Sequence, residues 1–296
     1  MRYRDAPAFR QALEQHLRAR GVGDGGHLAR LRKRVAFEQF LVRLNDVAPG
    51  DWLLKGGFAL DLRLPDRARA TRDVDIDWRA EEEELAETLV EAAAVSGDDF
   101  FVFRIERAGM PPERLGGSHR FRVAASLAGR HFETFLLDVG LRSALVGERD
   151  TLTTTDILAF AEIEPVEIPA VPLERHIAEK LHAYTRRYGD DRPSSRVKDL
   201  IDIVLMSELA PFEYDRLREE IVRTFSERET HELPASLPAP ASDWAPPYRA
   251  LATEVGLDPD LASGHRAAAA FLDPILAGAP GLERWDEQAM KWQHRE

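Results

Sequence analysis

"LLKGGFALDLRLPDRARATRDVDIDW", residues 53–78, is the stretch whose reading decides the fold of this chain. Gly56 and Gly57 precede a short helix-like run over 57–63, and Asp73, Asp75 and Asp77 then stand at alternate positions. Neither feature favours stability. Glycine weakens a helix, and like charges along one strand face repel one another. On a strand, the three aspartates point to one side and Val74, Ile76 and Trp78 to the other. The apolar side can pack on helices while the carboxylates line a cleft. Two such carboxylates, roughly 7 Å apart along the strand, suit hard divalent ions held jointly with substrate phosphates. Glycines at the start of a helix let backbone N–H groups approach a polyphosphate at its positive end. Without a ligand, the same residues read as a tight turn followed by an exposed edge strand. The joined spacing favours the triphosphate-and-metal reading.

The rest of the chain is that of a folded protein. Its 296 residues are 44% hydrophobic and 31% charged, with no apolar run long enough to span a membrane. No signal-peptide core opens the sequence. Cysteine is absent, which excludes disulfides and thiolate metal sites and leaves a cytoplasmic protein with no membrane partner as the expectation. A net charge of −12 argues against general nucleic-acid binding. Residues 1–45 nevertheless hold ten Lys or Arg against four acids. That excess fits either a local RNA-facing surface or ordinary solvated helix faces.

Helices are expected over 6–19, 27–46 and 57–63 and in "EEEELAETLVEAAAVS"; strands over 73–78, 100–107, 119–127 and 132–139. From about 172 the pattern turns helical: 173–188, 196–209, 213–226, 247–255 and 263–276. The intervening "ELPASLPAPASDWAPP" holds five prolines and reads as irregular. The expectation is an α+β chain: residues 1–165 as a domain with a mixed sheet and flanking helices, and 166–296 as a helical C-terminal domain.

Further candidates follow from position. Asp138, in "FLLDVG", is a lone acid in an apolar strand: a third metal ligand, or a strand-end residue capping the turn at Gly140. On helix 173–188, Ile177, Leu181 and Tyr184 form an apolar stripe while His176, Lys180 and Arg187 share another face. Lys180 is a point charge suited to a triphosphate, or a solvated lysine beside Glu179. Asp202 sits amid an apolar run and needs a partner: Lys180, or Lys198 four residues back. Thr71 either begins the strand, its hydroxyl pointing with Asp73 and Asp75, or caps the strand entry from a loop.

The order "KGGFAL", "RATRDVDI", "LLDVG" resembles the polymerase-β-type nucleotidyltransferase superfamily. In its fuller form, Gly56, Gly57, Leu60, Arg69, Thr71, Asp73 and Asp75, it is similar to the AbiEii branch, the toxins of type IV toxin–antitoxin systems that include the MenT enzymes. "LERHIAEKLHAYTRR" and "SRVKDLIDIVLM" extend the likeness, as does "FSERETHELP" with Arg228 and His231. The resemblance implies a nucleotidyltransferase-type fold and transfer of a nucleoside monophosphate from an NTP, with Mg²⁺ or Mn²⁺. The acceptor it implies is the tRNA 3′ end, and the partner a cognate antitoxin. It assigns metal binding to Asp73, Asp75 and Asp138, and nucleotide binding to Gly56, Gly57, Arg69, Thr71, Lys180 and Arg228. Lys180 and Asp202 join Asp73 and Asp75 as catalytic residues, with Asp199 in support. Two other outcomes stay open: transfer to a small-molecule or protein hydroxyl, and an idle nucleotide- or antitoxin-binding module.

Overall fold

The computed structural model describes residues 1–21, 25–65, 67, 69–79, 82–109, 118–141, 148–186 and 196–295. The chain divides into two compact units, Met1–Arg63 with Ala70–Val171, and Leu64–Arg69 with Pro172–Glu296.

The first unit opens with helices α1 (Ala6–Arg20) and α2 (Gly25–Val47). Strand β1 (Trp52–Lys55) runs into α3 (Gly56–Arg63), followed by β2 (Asp73–Trp78) and α4 (Glu82–Ala94). The strands β3 (Phe101–Arg107), β4 (Ser118–Leu127), β5 (Arg130–Leu141), β6 (Asp150–Thr153) and β7 (Glu167–Ala170) complete one seven-stranded sheet in the order β3-β4-β5-β2-β1-β7-β6. It is mixed: β2 runs parallel to β5 and β1 parallel to β7, and the other neighbours are antiparallel. β1, β6 and β7 escaped the sequence reading. Each has four residues, too few to display an alternation.

One sheet face carries the core. Val74, Ile76 and Trp78 are buried there with Phe135, Leu137 and Val139 of β5 and Phe37 and Phe40 of α2. α2 is covered on several sides, so its Arg34, Glu38 and Arg43 are buried too, and each is matched. Arg34 grips both oxygens of Asp61 at 3.0 and 2.6 Å, and Arg43 both oxygens of Asp99 at 2.8 and 2.5 Å. Arg10 donates to the carbonyls of Leu127, Arg130 and His131, Arg20 pairs with Asp156, and Arg32 with Glu14. Five of the N-terminal cations are therefore joined to groups of their own unit. The basic excess of residues 1–45 is in large part an internal fastening of α1 and α2, which weakens the case for an RNA-facing surface.

Glu38 of α2 is 1% exposed and accepts from Thr155 N at 2.9 Å and Thr155 Oγ1 at 3.0 Å. Burial pushes its carboxyl up from 4.5 to about 7, against the lowering effect of the Thr155 bonds. A carboxyl whose pKa rises on folding stabilises the fold fully below its unfolded pKa and loses that contribution as pH climbs through the folded one. The window is therefore pH 4.5 to 7, and the loss is about 3 kcal/mol. Glu38→Gln stays neutral and can still accept the Thr155 N–H. It is expected to raise the Tm by roughly 5–10 °C at pH 8 and to change it little at pH 5. Equal shifts at both pH values would contradict this.

The second unit holds α5 (Leu173–Thr185), α6 (Val197–Ser207), α7 (Tyr214–Arg228), α8 (Ala245–Glu254) and α9 (Leu261–Leu276). A hairpin of β8 (Leu282–Asp286) and β9 (Lys291–His294), absent from the sequence reading, closes it. Trp285 Nε1 donates to Ser207 O at 2.7 Å and Trp292 Nε1 to Phe271 O at 2.8 Å, fixing the hairpin to the end of α6 and to α9. Pro246 and Pro247 lie in the first turn of α8, where a missing N–H costs nothing.

Candidate active site

The three alternate aspartates have different fates. Asp73 and Asp75 are half-buried on the face of β2 away from the core, whereas Asp77 is fully buried and ion-paired with Lys55 of β1. A Cβ at Gly140 would lie 3.0 Å from Asp77 Oδ1 and 3.1 Å from Lys55 Nζ, so glycine leaves room for that pair. Asp77 is thus ion-paired within the protein, and Asp73 and Asp75 are the two half-buried carboxylates of the strand.

Gly56 joins β1 to α3 with φ +69°. A Cβ there would stand 2.2 Å from Asp75 Oδ2 and 2.8 Å from Asp75 Cγ. The glycine thus serves a left-handed turn and gives the Asp75 carboxylate space against the start of α3. Gly56→Ala is expected to cost at least about 1–2 kcal/mol from the backbone alone. By displacing Asp75 it should also reduce activity by about 10²-fold. A variant with wild-type activity would show that the position of Asp75 is immaterial.

Strand register sets Lys55 of β1 opposite Asp75 of β2, Asp75 opposite Asp138 of β5, and Asp138 opposite Arg120 of β4. Directly opposed residues share a face, so a row of cation, carboxylate, carboxylate, cation crosses four strands. Arg120 Nε and Nη2 donate to the two oxygens of Asp138, each at 2.6 Å. That bond, outweighing burial and aided by the charges of Asp138, Asp73 and Asp75, holds the guanidinium firmly charged. Among the described residues, no three carboxylate or imidazole groups converge as a ready-made cation site. Asp73 and Asp75, with the space left by Gly56, fit a divalent ion held by two carboxylates and completed by substrate phosphates. Asp138 stands opposite Asp75 as a third ligand would, but engaged by Arg120. Lys55 and Arg120 were not singled out in the sequence, since their importance depends on strand pairing.

Thr71 lies in the loop before β2, and its hydroxyl donates to Asp73 O at 3.2 Å and reaches Asp73 Oδ1 at 3.4 Å. It combines the two expected positions: off the strand, yet directed at the first carboxylate.

In the second unit, Lys180 of α5 donates to Asp202 Oδ2 at 2.6 Å and Asp199 Oδ1 at 3.3 Å, both aspartates on α6. Arg69 grips Asp202 through Nε and Nη2 at 2.9 Å each, and Arg196 pairs with Asp199 at 2.8 Å. Asp199 and Asp202 are fully buried, Lys180 7% and Arg69 9% exposed. Burial pulls the Lys180 ammonium down, but Asp202 and Asp199 outweigh it and hold it above its ordinary range. Lys180 is thus neither a solvated lysine nor free: it is the centre of a buried charge cluster. Asp202 has the partner the sequence suggested, with Arg69 added.

Arg228 donates to Glu179 at 3.1 Å. His231 bonds Thr185 at 2.8 Å and Thr230 at 2.9 Å, and Thr230 bonds His182 at 2.7 Å. Burial, with Arg228 and His231 nearby, lowers His182 to about 3. These residues tie the end of α5 to the end of α7. Arg187 lies outside the described residues.

A sequence profile of the family described as "Nucleotidyl transferase AbiEii toxin, Type IV TA system" matches residues 39–287. Among solved structures, MenT4, a nucleotidyltransferase toxin from Mycobacterium tuberculosis H37Rv, aligns at a TM-score of 0.61 and 16% identity, over 95% of this chain and 92% of its own. JHP933 from Helicobacter pylori aligns at 0.50 and 17% identity, over 83% of this chain and 94% of its own. At such identities the likeness is one of fold. No curated protein matches the chain by sequence. The profile takes in the glycines, the strand carboxylates, the buried Lys180 cluster and Arg228, and the chain belongs to the AbiEii family of nucleotidyltransferase toxins of type IV toxin–antitoxin systems.

Proposed function

We propose that the chain transfers a nucleoside monophosphate from an NTP to the 3′ end of tRNA, releasing pyrophosphate and arresting translation, with a divalent metal as cofactor. The observation that carries this reading is the pair Asp73 and Asp75 on one strand face, with Gly56 shaped to the Asp75 carboxylate. When bound, Mg²⁺ or Mn²⁺ supplies an activated acceptor hydroxyl and charge stabilisation on the departing pyrophosphate. The chain's own part is positioning. Asp73 and Asp75 present oxygens from a rigid central strand. Gly56 and Gly57 offer N–H donors at the start of α3 to the triphosphate. Family resemblance assigns Lys180, Arg69 and Arg228 to the nucleotide, and Lys180 and Asp202 to catalysis. Asp138 stands behind the two ligands, and Asp199 supports the lysine. The family's two-component character implies a cognate antitoxin. Among the described residues no helix is long and apolar enough to cross a membrane.

The tRNA acceptor rests on the resemblance. The net charge of −12 and the internal use of the N-terminal arginines favour a second reading, transfer to a small-molecule or protein hydroxyl. Incubation with each α-labelled NTP, Mg²⁺ and total tRNA separates the two. Label should enter intact tRNA and be absent from tRNA whose 3′ ribose has been oxidised with periodate. Equal labelling of both would exclude the 3′ end, and label in protein or small molecules alone would exclude tRNA.

Thr71 offers a means of control. A phosphate on its hydroxyl would add nearly two negative charges beside Asp73, competing for metal and repelling the triphosphate. Thr71→Glu is expected to be inactive and Thr71→Ser to retain activity, measured as label transfer. Full activity in Thr71→Glu would move control elsewhere, most simply to a partner protein covering the carboxylates.

A further inference from the structure

The Arg120–Asp138 pair has no part in the reaction as described, yet it stands in the same row as Asp75. We propose that Arg120 is a positioning residue of the metal site. By occupying both oxygens of Asp138 it confines cation binding to Asp73 and Asp75, so that the protein takes its divalent ion chiefly together with the nucleotide. This inference rests on the metal reading of Asp73 and Asp75 given above.

Three observations carry it. The pair is a two-pronged bond at 2.6 Å on each prong, with side chains 12% and 11% exposed, and forked, charge-assisted bonds out of water are the strong ones. β4 and β5 pair directly at Arg120 and Asp138, so the bond is built on neighbouring backbone, not across a mobile loop. The third observation is charge. Around that row the polar face holds four carboxylates, Asp73, Asp75, Asp77 and Asp138, and two cations, Lys55 engaged with Asp77 and Arg120 with Asp138, while Arg104 and the Arg122–Glu106 pair stand farther out on β3 and β4. The remaining charge of the six groups matches a single divalent ion. A second ion becomes electrostatically acceptable only with the negative charge of a triphosphate. Without Arg120, Asp138 would lose the fork that takes up both its oxygens, and a third carboxylate would become available to a cation opposite Asp75.

The test is a Mn²⁺ titration of the full chain without nucleotide, with free Mn²⁺ read by electron paramagnetic resonance. Wild type should bind Mn²⁺ weakly. Arg120→Gln should bind it about 10–100-fold more tightly, the range over which partners of metal ligands act. Arg120→Lys keeps the charge but not the fork and should fall between. It also serves if Arg120→Gln proves unstable. Adding Asp138→Asn to Arg120→Gln should abolish the gain. Mn²⁺ binding that is lost in Asp75→Asn but is the same in wild type and both Arg120 variants would overturn this inference alone. No Mn²⁺ bound by any form, with or without NTP, would overturn the metal reading along with it.

Discussion

Asp73→Ala and Asp75→Ala are each expected to lower nucleotide transfer by at least about 10³-fold, equivalent to about 4 kcal/mol of transition-state stabilisation. Both residues present oxygen ligands from one central strand, and the other two carboxylates of that row are already engaged, Asp77 by Lys55 and Asp138 by Arg120. The lost ligand has no substitute in place. Stability should behave differently. Asp75 lies opposite both Asp138 and Lys55 and two residues from both Asp73 and Asp77, so its removal relieves repulsion while giving up attraction to the lysine, and it empties the space against Gly56. The Tm of Asp75→Ala should stay close to that of wild type. Activity surviving in both variants would sink the nucleotidyltransferase reading, and a large fall in Tm would mean that the carboxylate row is structural.

Asp202→Ala should do the opposite: destabilise the second unit by about 3–5 kcal/mol, the usual cost of leaving buried charge without its partner. Asp202 accepts from Arg69 at both oxygens and from Lys180, so its removal takes the forked partner from Arg69 and leaves Lys180 only the longer bond to Asp199 in this cluster. Lys180→Ala should cost less, because Asp202 keeps Arg69 and Asp199 keeps Arg196. The pH dependence has a definite sign. Burial would raise the Asp202 carboxyl, but Lys180 and Arg69 overcome it and hold the group far below its ordinary 3.8. Such a carboxylate stabilises the fold above its unfolded pKa and ceases to do so as pH falls through the folded one. Denaturant melts of wild type and Asp202→Ala should therefore differ most near neutrality and converge in strong acid. This is the reverse of Glu38, whose contribution fades as pH rises. If Lys180 also serves the triphosphate, Lys180→Ala should weaken NTP binding more than it weakens the fold. Unchanged NTP affinity would leave the lysine a purely structural ion.

The sequence displayed what depends on local pattern. Strict alternation in 73–78 revealed β2 and the separation of its two faces, and spacing of three and four revealed the helices of the second unit. Glycine at 56 was legible as a special position, although its reason, a positive φ beneath the Asp75 carboxylate, belongs to the folded chain. What stayed hidden depends on pairing between distant segments. Asp77 looks identical to Asp73 and Asp75 until β1 brings Lys55 against it. Arg120 is one of several arginines in its stretch until the register with β5 sets it on Asp138. The N-terminal arginines looked like a surface feature because their partners, carbonyls of β4 and β5 and acids of α3 and the α4–β3 connection, lie elsewhere in the sequence.

The central claim is nucleotidyl transfer at Asp73 and Asp75, and parallel reactions with α-labelled and γ-labelled NTP test it most directly. Run with Mg²⁺ and acceptor on wild type and the two alanine variants, they should give α label in the acceptor, γ label in released pyrophosphate, and neither in the variants. Label from the γ position in the acceptor, or α transfer undiminished in Asp73→Ala and Asp75→Ala, would contradict the account.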